Sequence, residues 1–94
     1  MTDVLAGLRA RFLERCIGDL DRLERLMAQD TLDSEEMRFL VHSLAGTAGT
    51  FGFQEISAAA SVADDALADG RVPERAEAEN LAEALRRALL TQNG

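Results

Sequence analysis

Apolar residues recur every three or four positions along most of this chain. Leu5, Leu8, Phe12, Cys16, Leu20, Leu23 and Met27 step in that way, as the buried stripe of a helix does. They predict a first helix from about Val4 to Gln29, with Gly18 a tolerated weak point inside it. Residues 30–34 read as a loop ending on an N-cap. Asp33 or Ser34 can accept from the first free amides, and Glu35 and Glu36 suit the positive first turn. A second helix follows from about Ser34 to Thr50, and Gly52 marks a turn or sharp bend. A third helix is expected from about Gln54 to Ala68, with Ile56, Ala59, Ala60, Ala63 and Leu67 inward. Asp69-Gly70 supplies its stop. Pro73 fits the first turn of a fourth helix, reaching about Thr91 through Ala78, Leu81, Leu85, Ala88 and Leu89. The tail Gln92-Asn93-Gly94 is expected to fray.

Short connections between helices of this length favour antiparallel neighbours. The expected fold is therefore all-α, an antiparallel up-down-up-down four-helix bundle. It forms one domain over residues 1–94, with no internal repeat, low-complexity segment or long linker.

The second helix breaks the pattern of an ordinary surface helix. At about 100° per residue, Met37, Leu40, Val41, Leu44, Ala48 and Phe51 share its core face. His42 lies about 160° from Leu44 on the same geometry. Gly46 and Gly49 follow beside it, and Phe39 falls near that outer face. Each mid-helix glycine costs up to about 1 kcal/mol relative to alanine. Nothing in helix formation asks for them, but they remove bulk next to an exposed imidazole. Phe39 adds an apolar contact where water would be preferred. Together these residues describe a docking surface centred on a histidine.

Composition narrows the chemistry. Hydrophobic residues make up 47% of the chain, and Ala and Leu dominate them over β-branched types, which favours helices over sheet. The formal net charge is −7, and all ten positive charges are arginine. Such an acidic balance argues against nonspecific nucleic-acid binding and against docking on an anionic membrane. No apolar run approaches the roughly 20 residues that span a bilayer, and no signal peptide is evident. The single Cys16 cannot form an internal disulfide, which points to a reducing cytoplasm. Its place on the apolar stripe makes it an inert core thiol. The acidic clusters, Asp64-Asp65 and those between Glu74 and Glu83, read as solvated faces. No metal site is expected. With no serine, cysteine or carboxylate aligned to His42, an independent enzyme is not expected either.

The run His42-Ser43-Leu44-Ala45-Gly46-Thr47-Ala48-Gly49-Thr50-Phe51-Gly52 resembles the histidine-containing phosphotransfer (HPt) domain. That family's pattern is His-x-Leu-Lys-Gly-Ser/Thr-Ala/Ser-x-x-x-Gly. The resemblance implies a four-helix bundle that carries a phosphoryl group on His42 and exchanges it with the phosphoaspartate of receiver domains. It implies response-regulator receiver domains and a hybrid histidine kinase as partners. The protein itself would hold no cofactor, with Mg²⁺ supplied by the receiver. Phe39, Ser43, Ala45, Gly46 and Gly49 are then the partner-binding surface. One departure stands out: Ala45 occupies the place of the family's lysine, and Arg38, four residues before the histidine, is the candidate substitute for its charge. Neutral imidazole suits the role, being nucleophilic near neutral pH, and phosphoryl transfer chiefly demands positioning and charge stabilisation.

Two other classes stay open: a receiver-binding module that transfers nothing, and a bundle that self-associates through its glycine face. Gln54 is read as the start of the third helix rather than a partner of the imidazole, and Thr47 as bonding back to its own helix. The expectation is a cytoplasmic, stand-alone monomer.

Overall fold

The computed structural model describes residues 4–93. It contains four helices: α1 (Val4–Ala28), α2 (Glu35–Thr50), α3 (Gln54–Ala68) and α4 (Arg75–Asn93). Each packs against its two neighbours, and no backbone closely approaches another across either diagonal among the described residues. Side-chain contacts fix the directions. Arg9, early in α1, donates to the Phe51 carbonyl at the end of α2 (2.9 Å), whereas Arg25, late in α1, meets Glu36 at the start of α2 (3.0 Å). Between α2 and α3, Arg38 reaches the Leu67 carbonyl and Ser57 the Ala45 carbonyl. Arg75 at the start of α4 donates to the Met27 carbonyl near the end of α1, and Arg87 near the end of α4 meets Glu55 at the start of α3. All four seams are antiparallel, as expected.

The helix ends follow from local chemistry. The Ser34 hydroxyl accepts from the Met37 amide (3.1 Å) and caps α2. At the end of α2, the Phe53 amide donates to the Ala48 carbonyl and the Gly52 amide to the Gly49 carbonyl. This paired closure needs a left-handed residue between helix and loop, and Gly52 supplies it at φ 84°. Gly70 does the same for α3. After α1 the left-handed position falls to Asp30 (φ 57°), a short polar residue that tolerates it better than most. The sequence pattern carried no sign of that.

Pro73 is a correction. It lies two residues before α4, in the connecting segment, and is buried. Glu77 caps the helix start instead, its carboxylate accepting from the Glu74 amide (2.9 Å), as the third residue of a capping box does. At its other end α4 continues through Gln92 to Asn93, past the expected Thr91; Gly94 lies outside the described residues.

The core holds Phe12, Cys16, Leu23 and Met27 of α1, Met37, Leu40, Val41, Leu44 and Ala48 of α2, Ile56, Ala60, Ala63 and Leu67 of α3, and Ala78, Leu81 and Leu85 of α4. Ala59, Ala88 and Leu89 are only partly covered. Phe51 and Phe53 pack their rings on Phe12, with centroids 5.9 and 5.2 Å away, and close one end of the bundle. One expectation for α1 fails. Leu5 and Leu8 continue the heptad-like stripe but are exposed. At 1.5 Å per residue, α1 is about 37 Å long against about 24 Å for α2, and Arg9 already reaches the last turn of α2. The residues before Arg9 therefore run past the end of α2. Asp19 is 4% exposed. It is held there by Arg15 (3.0 Å) and Arg22 (3.6 Å), the pairing that a buried carboxylate requires.

Candidate functional site

His42 is placed by the periodicity of α2. Because Met37, Leu40, Val41, Leu44 and Ala48 point into the core, the imidazole is turned outward, and its side chain is 82% exposed. It sits in a shallow hollow where α2 meets the end of α3, lined by Glu35, Arg38, Phe39, Asp64, Leu67 and Ala68. The Nδ1 atom lies 3.2 Å from Oδ2 of Asp64. The Nε2 edge has no protein partner among the described residues, and Gly46 leaves open space one turn on: a Cβ built there meets nothing within 4 Å.

Gly49 has a different reason to be glycine. A Cβ at Gly49 would stand 3.1 Å from the Ser57 hydroxyl, which donates to the Ala45 carbonyl at 2.8 Å. Gly49 thus lets α3 approach α2, rather than clearing bulk from beside the imidazole. Ala45 is half-buried, and it too lies toward the seam.

Phe39 is 72% exposed and stands between two hollows. One is that of His42; the other, lined by Arg15, Gly18, Asp19, Arg22, Leu40 and Ser43, lies between α1 and α2. The Ser43 hydroxyl accepts from Arg15, so Ser43 faces α1 rather than the imidazole. Arg38 lines the His42 hollow, yet its guanidinium is directed to the Leu67 carbonyl at the C-terminal end of α3 (3.2 Å). There it complements the negative end of that helix. The side chain of Thr50, not Thr47, bonds back within α2, to the Gly46 carbonyl. Gln54 begins α3, exposed.

The residue that sequence reasoning missed is Asp64. In the sequence, Asp64 beside Asp65 reads as part of a solvated acidic face. It is half-buried and aimed at the imidazole. Its 22-residue distance from His42 carries no local spacing signal; only the antiparallel register of α2 and α3 brings the two together. Cys16 is fully buried, and burial first, then the neighbouring Asp19, pushes its thiol up to about 12 against an opposing effect of Arg15. Among the described residues no three His, Cys, Asp or Glu side chains converge as a metal site would require, and no helix is long and apolar enough to cross a membrane.

Comparison with curated proteins and with solved structures finds no match. Comparison with protein families does. The Hpt domain family matches residues 7–92, a span that takes in all but the outermost residues of the bundle. The chain therefore belongs to the Hpt domain family, and with it to phosphotransfer in two-component signalling.

Proposed function

We propose that this protein is a phosphorelay intermediate in which His42 accepts a phosphoryl group from, and returns it to, the phosphoaspartate of receiver domains. The observation that carries this reading is the exposed imidazole on the second helix with unoccupied space over Gly46. An in-line attack needs the approaching phosphorus to come within about 3–3.5 Å of the nucleophile, and side-chain bulk one turn away would obstruct it. Phe39 gives the incoming domain an apolar contact beside the ring. Gly46 and the exposed edge of α2 form the rest of the docking surface. Ser43 and Ala45 support it from the seams to α1 and α3, and Gly49 does so through the close packing of α3.

The chain acts as a phosphocarrier and not as an enzyme in its own right. Mg²⁺ and the acceptor carboxylate come from the receiver. Arg38 is near enough to share the charge of a phosphoryl group if it leaves the Leu67 carbonyl. The protein works as a cytoplasmic monomer, and a hybrid histidine kinase is a further source of phosphoryl groups.

The test uses a panel of phosphorylated receiver domains, incubated with the wild type and with His42→Gln. Acid-labile, base-stable label on the wild type alone supports the reading. Receivers that bind the wild type without labelling it would instead identify a docking module without transfer.

A further inference from the structure

We infer that the notch at Gly18, between Arg15 and Arg22 of α1, is an anchoring subsite for the docking receiver domain and takes a carboxylate side chain from it. The inference rests on the phosphotransfer reading above and adds a feature that chooses among receivers.

The edge of α1 that borders α2 is built of arginine. Residues 11, 15, 18, 22 and 25 share that edge by their helical spacing. Four of them are arginine, and the middle one is Gly18. A glycine inside a helix weakens it, and no neighbour asks for one here: a Cβ built at Gly18 meets nothing within 4 Å. Its missing side chain opens the hollow between α1 and α2 that Phe39 and Ser43 also line. Phe39 separates this hollow from that of His42, so one docked surface can reach both.

The two guanidiniums are held in place before any partner arrives. Arg15 donates through Nε to Asp19 (3.0 Å) and through Nη2 to the Ser43 hydroxyl. Arg22 meets Asp19 with Nη1 (3.6 Å) and Glu36 with Nε (3.1 Å). These bonds leave Nη1 of Arg15 and Nη2 of Arg22 without a partner among the described residues. Asp19 lies behind both, its side chain 6% exposed. A pair of pre-ordered guanidiniums suits a carboxylate, whose two oxygens accept their planar N–H groups side by side. Arg11 and Arg25 extend the edge, and the acids that these four arginines meet are Asp19 and Glu36.

The chemistry of the receiver supplies the complement. A domain that holds Mg²⁺ beside an acceptor aspartate presents carboxylates around that site, because a hard cation takes oxygen ligands. A chain of net charge −7 repels such a surface over most of its own. The α3 flank of His42 is acidic too, with Asp64 and Asp65 on α3 and Glu35 on α2. The arginine edge of α1 is the flank that attracts. It turns the receiver toward the α1–α2 seam, and the notch at Gly18 gives a carboxylate from the rim of its site a seat.

The test is the affinity of a receiver that binds the wild type, measured by calorimetric titration with Mg²⁺ at low and at high salt. Gly18→Glu places a carboxylate of this chain in the notch. Arg22→Gln removes one of the two guanidiniums and leaves Arg15 to hold Asp19. Both are expected to bind the receiver about tenfold more weakly at low salt, with helix content unchanged, and the loss is expected to shrink as salt screens the pair. Arg87→Gln makes the same change of charge on α4, away from the seam, and is expected to bind as the wild type does. Wild-type affinity in either folded notch variant, or an equal loss in Arg87→Gln, would overturn the inference. A receiver that binds but never labels His42 ends the phosphotransfer reading while these affinities still decide the notch. If no receiver binds the wild type, both fall.

Discussion

His42 and Cys16 are the chain's single histidine and single cysteine, and both types of side chain can act as nucleophiles. Their surroundings separate them. Cys16 is fully buried among Phe12, Leu23 and the core of α2, with its thiol pushed up to about 12. His42 stands 82% exposed, with a carboxylate at one ring nitrogen and open space over Gly46 one turn on. Reactivity here is decided by which face of a helix a residue occupies. The same 3.6-residue period that hides Cys16 presents His42. A second contrast lies within α2. Gly46 and Gly49 are three residues apart, yet the first faces open space and the second faces Ser57. One glycine clears a surface, and the other joins two helices.

The largest expected effect concerns the thiol. Native Cys16 should react with a thiol reagent more than about a thousandfold more slowly than in the denatured chain, because reaction requires opening a domain that is stable by several kcal/mol. Rapid native labelling, followed by mass spectrometry, would break the contrast with His42. Next is Gly46→Leu. A branched side chain beside the ring should reduce receiver-dependent labelling at least about tenfold, while circular dichroism and the melting temperature report an intact fold; retained transfer would sink the role given to that glycine.

Gly49→Leu should act on stability instead, lowering it by about 1–3 kcal/mol in denaturant titration, as overpacking does. A milder pair sharpens the comparison. Gly46→Ala should stabilise α2 by up to about 1 kcal/mol through helix propensity alone. Gly49→Ala should gain less, because its Cβ meets the Ser57 hydroxyl at 3.1 Å. Equal gains would mean that the seam yields freely.

The pH dependence of Cys16 gives a gentler trend. A thiol raised from 9.0 to about 12 in the folded chain keeps its proton in the native state and loses it in the unfolded state first. Its contribution is thus complete below about 9 and is lost as pH rises toward 12. The slope is at most about 1.4 kcal/mol per pH unit. Cys16→Ala should flatten that alkaline arm in urea titrations at successive pH values.

Much of this could be read from the chain. The apolar stripe of α2, with Met37, Leu40, Val41, Leu44 and Ala48 inward, dictates the outward side of His42. The bounds of α3 and the stop at Gly70 followed from composition and a turn residue. What escaped were features set by neighbours rather than by period. Leu5 and Leu8 satisfy the helical repeat, but α2 ends before it can cover them. Asp19 looks like a surface acid, but Arg15 and Arg22 allow it to be buried. Gly49 and Asp64 both take their meaning from α3, whose register against α2 no local pattern encodes. Pro73 has the residue type of a helix start but sits before one, because Glu77 supplies the cap.

The most direct test of the central claim is to map the phosphoryl group by peptide mass spectrometry under alkaline conditions, after labelling by a phosphorylated receiver domain. The account predicts close to one group per chain, on the peptide that contains His42, and none on His42→Gln. A group on any other residue, or undiminished labelling of His42→Gln, would contradict it.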